Sequence, residues 1–512
     1  MSSTYALGID IGTGGCRGAL LDLESLSVVA IEAVDSTVVH ANARDLNVEE
    51  LWVKVCEVTR RLCRRVHSAD AIRAVCCASF GGALVCLDAN GEIAWTSAHS
   101  DERPVSEVRE LIQSGDSEWI YDITGDGVAL SAIPRLAWLA SHEPNVYRTL
   151  RCVLSVSDWL VFKLTGVLVT EPSLAASMGL VDVRSRTWST ALLSRAQIGP
   201  ELLPGLDRSG TMVGTVEARA AVDTELSPMC AVVLGGWDTA VAHLGAELPK
   251  RGQLHVVGGS FWKTGVIFQP HLADPERRLR TMCHVLPGRW LMEGIGYCSG
   301  AAMRWFRDGF CPDYVLEGAR LGRDPYELME QSAFAVPPGS NGVLAVLANA
   351  MNARDWRHAS AGFLQFDVLA PACSGRKECI RAIEEAAAYV VQAHRGALEH
   401  ATGIKSQEVV LSGGAARAVL WPSVIADVLD LPVRATPIPE ATAIGAARLA
   451  AFGLGCMDSI EDFAAATSNI GRIFEPKREN ADRYADLFAQ WQTVYPVLET
   501  ATSTAGLRPL QR

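Results

Sequence analysis

Four short segments of this chain set glycine beside a carboxylate or a hydroxyl. The first is Asp10-Ile11-Gly12-Thr13-Gly14, with Arg17 just beyond. A Gly/Thr turn between two apolar runs directs successive N–H groups and a hydroxyl into one concavity, which suits a terminal phosphate. Asp10, at the strand end, could hold Mg2+ directly or through water. Such a segment standing alone is more often a plain Gly-rich hairpin with a solvated aspartate. Gly258-Gly259-Ser260 repeats the plan, and a pair of such turns can clamp a nucleotide tail from two sides. Gly413-Gly414 would let a flat base lie against the backbone, and reads equally well as a simple strand-to-helix turn. Gly235-Gly236-Trp237-Asp238 is the sharpest of the four. An Asp that opens a helix is commonly only its cap. The glycines before it, however, let a ligand approach the backbone. Phosphoryl transfer asks for alignment, charge neutralisation and one proton acceptor, often an Asp.

The elements that must position these segments can be read from apolar periodicity. Tyr5 to Asp10 and Cys16 to Asp22 form one hairpin; Gln253 to Val257 and Lys263 to Phe268 form another. Val48 to Val66 has helical spacing, with Leu51, Val55, Val58 and Leu62 on one face. Ala74 to Ser79, Ala83 to Asp88, Cys230 to Leu234 and Val409 to Leu411 read as strands, and Thr239 to Leu244 continues as a helix from Asp238. Lys377 to Thr402 is a long amphipathic helix closed by Gly403, Leu420 to Leu429 a short one, and Glu440 to Arg448 a small-residue helix able to pack closely on a neighbour. Strands and helices alternate, so the class is α/β. The echo between the hairpins indicates an internal duplication, with a boundary near Leu248-Pro249 and domains at 1–248 and 249–512.

The 512 residues exceed one compact core. A net charge of −12 argues against a phosphate-backbone binder and against docking on an anionic membrane, so neither nucleic acid nor membrane is an expected partner. The polar start, Met1 to Tyr5, has no signal-peptide pattern, and 14 cysteines without Cys-x-x-Cys spacing read as reduced, buried thiols; the expected location is cytoplasmic. A homo-oligomer stays open.

In order and spacing, the segments resemble the FGGY family of carbohydrate kinases, over nearly the whole chain to about Gly455. The resemblance rests on Asp10 to Arg17, on Ser157-Asp158-Trp159-Leu160 through Leu164-Thr165-Gly166 and Trp188, on Gly235 to Asp238, and on Ser412-Gly413-Gly414 followed by Leu420-Trp421, Ile425 to Val428 and Glu440 to Gly445. Leu130 to Leu136, Gly258 to Trp262, Met303 to Asp308 and Val336 to Ser340 are most similar to the family's autoinducer-2 kinase branch. The resemblance implies a two-domain actin-like, ribonuclease H-like sugar-kinase fold with the active site in the interdomain cleft. It implies ATP and Mg2+, a small sugar or polyol substrate, Asp238 as catalytic base and Asp10 near the metal. Gly12, Thr13, Gly14, Arg17, Gly259, Ser260, Gly413 and Gly414 would face the nucleotide. Phe80, Gly82, Asp101, Arg103, Trp237 and Trp262 would face the sugar, with a structural ion pair as the alternative for Asp101 and Arg103.

Departures from the family pattern bear on the substrate. Gly81-Gly82 stands where autoinducer-2 and glycerol kinases place an Arg-Glu pair, Trp237 replaces a usual Gly, and Ala415 replaces the third Gly of the adenosine motif. The alternatives are a kinase for a pentulose, glycerol or a tetritol, or, in another class, a nucleotide-binding regulator without catalysis.

Overall fold

The computed structural model describes residues 3–35, 44–246, 248–296, 299–347, 359–436, 438, 440–461 and 471–504. Two large sheets dominate. In the first half, β1 (Tyr5–Gly12) and β2 (Gly15–Asp22) form the first hairpin around a Thr13-Gly14 turn, followed by β3 (Val28–Asp35), β4 (Ile72–Ser79), β5 (Met212–Thr215) and β6 (Ala231–Trp237). In the second half, β7 (Gln253–Gly258) and β8 (Trp262–Phe268) form the other hairpin, joined by β9 (Arg280–Cys283), β10 (Trp290–Gly296), β11 (Glu408–Ser412), β12 (Val433–Ala435) and β13 (Arg472–Phe474).

The sheet orders are β3-β2-β1-β4-β6-β5 and β9-β10-β8-β7-β11-β12-β13. Apart from the extra edge strand β9, the two match strand for strand. Each hairpin has an antiparallel neighbour on one side and a parallel strand on the other, then a second parallel strand and an antiparallel edge. The duplication inferred from two hairpins therefore extends over six strands.

Local sequence explains the departures from the expected limits. β6 runs through Gly235 and Gly236 instead of stopping at Leu234. Its register with β4 shifts between Val233 and Gly236, and a β-carbon on Gly235 would stand 1.9 Å from the Cys77 carbonyl oxygen, so only glycine lets the strand continue there. The first amphipathic helix stops at Cys63, with Arg64 as its C-cap. Leu84–Asp88 leaves the main sheet and pairs with Ile93–Ser97 and Leu150–Leu154.

Five helices matter to the site: α1 (Asp238–Gly245), α2 (Ser299–Phe310), α3 (Arg376–Thr402), α4 (Leu420–Leu429) and α5 (Ala441–Gly453). α3 ends on a left-handed Gly403, as its sequence predicts. α5 belongs to the second half in sequence but packs on β1, β2, β4 and β6 of the first sheet and against α1. Small residues permit this. A β-carbon on Gly8 would lie 2.0 Å from the Ala443 oxygen, one on Gly245 1.7 Å from that of Ala441, and one on Gly445 2.0 Å from that of Val241. One hydrophobic core runs from Ala240 and Leu244 into Leu254, Leu291 and Ile380, so both halves share it. A second, under the first sheet, joins Leu7, Ile9 and Leu20 to Val58 and Leu62. No helix among the described residues is long and apolar enough to cross a membrane.

Candidate active site

The crossing of α1 and α5 brings four element ends together: the first hairpin, the start of α1, the start of α5 and the return strand of the second hairpin. Arg17 on β2 forms an ion pair with Glu440 at the start of α5, at 3.1 Å. Thr442 reaches back to the backbone oxygen of Asp238 at 3.5 Å. Lys263 on β8 lies 3.7 Å from Asp238 Oδ1 and bonds the hydroxyl of Thr239.

Asp238 is the first residue of α1, and the cap position belongs to Trp237, which makes no side-chain capping bond. The simple N-cap role is therefore not the one Asp238 fills. Its Oδ1 takes the Thr239 N–H at 2.5 Å and the Thr239 hydroxyl at 3.0 Å. No hydrogen bond among the described residues reaches Oδ2. The carboxylate is held by one oxygen and leaves the other open, the disposition a proton acceptor requires.

Asp10 is deeply buried on β1, and its Oδ1 has no hydrogen-bond partner. Burial first, and then the nearby charge of Asp238, push its carboxyl up to about 8, while Arg17 pulls the other way. With Asp10 Oδ1 left without a partner beside a second carboxylate, an Mg2+ ion is a fitting counter-charge. No cluster of three or more His, Cys, Asp or Glu side chains with metal-holding geometry exists among the described residues. Asp10 could therefore be only one anchor for an ion held mainly by phosphate and water.

The turns flank this centre. Thr13 and Gly14 are exposed, and the space over Gly14 is open. Gly259 is exposed as well, with only the Phe261 oxygen at 3.6 Å from where a β-carbon would stand. The second turn is braced from behind by α2. The Ala301 N–H bonds the Ser260 oxygen at 3.1 Å, Arg304 donates to the Ser260 hydroxyl at 2.9 Å, and a β-carbon on Gly300 would meet the Gly259 oxygen at 2.0 Å. Gly413, with φ of 80°, rests on Gly258, so the Gly259-Ser260 turn and the Gly413-Gly414 turn lie side by side.

Next to Asp238, the Trp237 ring has two cations near it, with Lys263 at 4.7 Å and Arg280 at 4.8 Å from its centroid. Arg280 is itself paired with Glu293 and lies 3.8 Å from Asp126. The Trp237 N–H donates to the Ser173 hydroxyl at 3.0 Å, which donates to buried Glu171 at 2.5 Å. A β-carbon on Gly81 would come within 2.7 Å of Ser177 Cβ and 3.3 Å of Trp237 Cδ1. The space a side chain at 81 would need is taken by Ser177 and the tryptophan. Gly82, with φ of 76°, gives its carbonyl oxygen to buried Arg135. Phe80 packs edge-on to His99 and is nearly covered.

Three expected sugar contacts, Trp262, Asp101 and Arg103, have structural partners. Trp262 is 1% exposed and packs on Trp421 of α4 at 4.9 Å between ring centroids. Successive strand residues point to opposite faces, so it is Lys263, not Trp262, that looks toward Asp238. Asp101 accepts from Ser97 at 2.7 Å and from Arg103 at 2.7 Å; Arg103 also bonds Asp45 and two backbone oxygens and stacks on Trp95 and Trp138. That geometry favours the ion-pair alternative. Sequence inspection missed Lys263, Thr239, Arg280 and Glu440. Lys263 carried one signal, a lone charge in an otherwise apolar strand.

The chain matches the FGGY carbohydrate kinase N-terminal domain over residues 5–245 and the C-terminal domain over 253–454. It is 34% identical over 503 residues to the autoinducer-2 kinase of Klebsiella pneumoniae subsp. pneumoniae, covering 96% of this chain and 94% of that one, and 34% identical over 499 residues to that of Enterobacter sp.. Among solved structures, the xylulose kinase of Rhodospirillum rubrum superposes with a TM-score of 0.84 at 26% identity, covering 96% of this chain and 99% of the other.

Proposed function

Because the chain belongs to the FGGY family of carbohydrate kinases, we propose that its sugar-like substrate is of the autoinducer-2 class, phosphorylated on a primary hydroxyl with Asp238 as the proton acceptor. The carrying observation is the open Oδ2 of Asp238 beside buried Asp10, between two exposed glycine turns. As an FGGY kinase the protein uses ATP with Mg2+ as its phosphoryl donor system. Bound Mg2+ neutralises phosphate charge. Asp10 would help hold it. Thr13, Gly14, Gly259 and Ser260 would bind the phosphate tail and Gly413-Gly414 the adenosine, with the division at 1–248 and 249–512 forming the cleft walls. Asp238 Oδ2 takes the proton as the substrate hydroxyl attacks, and enclosure by both halves keeps water from competing. The need for ATP supports a cytoplasmic location.

The substrate class is supported by the autoinducer-2 kinases, which align with this chain nearly end to end. A second reading, a pentulose or polyol kinase, is favoured by the filled space at Gly81, where Ser177 and Trp237 replace a polar pair. Steady-state kinetics on the autoinducer-2 precursor, glycerol, xylulose, ribulose and erythritol decide between them. The expected result is the highest kcat/KM for the autoinducer-2 precursor; a clearly higher value for any of the other four selects the second reading.

A further inference from the structure

We infer that Lys263 is a positioning residue for the proton acceptor, carried to it from the opposite half of the molecule. The inference rests on Asp238 being the base. Lys263 belongs to the return strand of the second hairpin, three residues after Ser260. Its ammonium reaches across to α1, bonds the Thr239 hydroxyl and stands 3.7 Å from Asp238 Oδ1. The Thr239 hydroxyl in turn donates to the same Oδ1 at 3.0 Å, and the Thr239 N–H does so at 2.5 Å. Every donor among the described residues therefore falls on one oxygen. A carboxylate fixed by Oδ1 cannot rotate freely, and Oδ2 stays turned toward whatever hydroxyl enters the cleft.

The lysine is itself well fixed. Its ammonium sits over the Trp237 ring at 4.7 Å, and only about a fifth of its side chain is exposed, 21%. A charge-assisted bond in so sheltered a place is stronger than a neutral one in water. The arrangement also couples two functions mechanically. The strand that carries Lys263 begins just after the turn at Gly259 and Ser260, so the segment expected to grip the phosphate tail also sets the base. Displacing that strand would disturb both.

The test is a double-mutant cycle with Lys263→Met and Asp238→Asn, read as kcat and KM separately. If Lys263 acts through Asp238, Lys263→Met lowers kcat on the order of 10–100-fold with KM for ATP unchanged. Lys263→Arg, which keeps a donor and the charge, recovers most of that loss. In the Asp238→Asn background, Lys263→Met costs nothing further, because the group it positions no longer accepts a proton. A loss of the same factor in both backgrounds, a raised KM for ATP, or an unchanged kcat each overturns the inference. Parent-like turnover in Asp238→Asn alone overturns the base assignment instead. Should Lys263→Met melt below the parent, Thr239→Val breaks the same chain with Lys263 in place, and the cycle is read with that variant.

Discussion

At the scale of the residue, the site is defined by which oxygen is left open. Asp238 Oδ1 is occupied by Thr239 and faced by Lys263, while no hydrogen bond among the described residues reaches Oδ2. Replacing Asp238 with Asn keeps the size and the bond from Thr239 but removes the acceptor. The expected outcome is a kcat lower by about 10²–10⁴-fold, the usual scale for general-base loss, with ATP affinity and melting temperature preserved. Turnover near that of the parent would show the proton leaving by another route. Asp238 and its glycines were legible in the sequence because a carboxylate directly after a strand is a local pattern. Lys263 was not, because its role depends on a contact with α1 that no local pattern encodes.

At the scale of the element, the two hairpins are built alike. Each turn is exposed, each starts from a buried strand, and each lies beside a parallel strand of its own sheet. Thr13→Val deletes a hydroxyl without changing shape. Gly259→Val adds bulk where the protein itself leaves room, so any effect falls on the ligand and not on folding. Both variants should weaken ATP binding by about 10-fold or more, the scale of a lost hydrogen bond to a charged group, measured by titration calorimetry. A silent Gly259→Val would leave the second hairpin as scaffold only. The hairpins were readable from sequence since apolar runs, Gly and Thr fix them locally. The pairing of six strands in one sheet and seven in the other was not, because strand order depends on contacts distant in the chain.

At the scale of the whole molecule, the seam between the halves holds a line of buried imidazoles. His243 on α1 lies 3.3 Å from His255 on β7 and 3.3 Å from His284 just past β9. Burial holds His243 and His284 well below the ordinary histidine range and brings His255 down to about 3. The adjacent imidazoles add to this, as do Lys263 beside His243 and His255, and Arg186 and Arg289 beside His284. The folded protein thus keeps these rings neutral where the unfolded chain, with ordinary histidines near 6.5, takes up protons. The stability they contribute is complete above about pH 6.5 and is lost as pH falls toward 3. The denaturation midpoint should drop between pH 8 and pH 5, and His243→Gln should make that drop shallower. An equally steep drop in the variant would remove the seam as its cause.

The sequence by itself determined the α/β class, the two hairpins, the left-handed stop at Gly403 and the short glycine segments, because each follows from residues within a turn or two of one another. It also carried the family resemblance that the domain matches bear out. Only the tertiary structure decided that α5 crosses back to the first sheet, that Trp262 faces Trp421 while Lys263 faces the carboxylate, and that Asp101 and Arg103 hold each other. The first two outcomes rest on how closely two backbones can approach and on which strand face meets the carboxylate; the third rests on the fold bringing Asp45, Trp95 and Trp138 around Arg103. Gly8, Gly245 and Gly445 make the approach possible, and nothing in their immediate neighbours says which helix will arrive there.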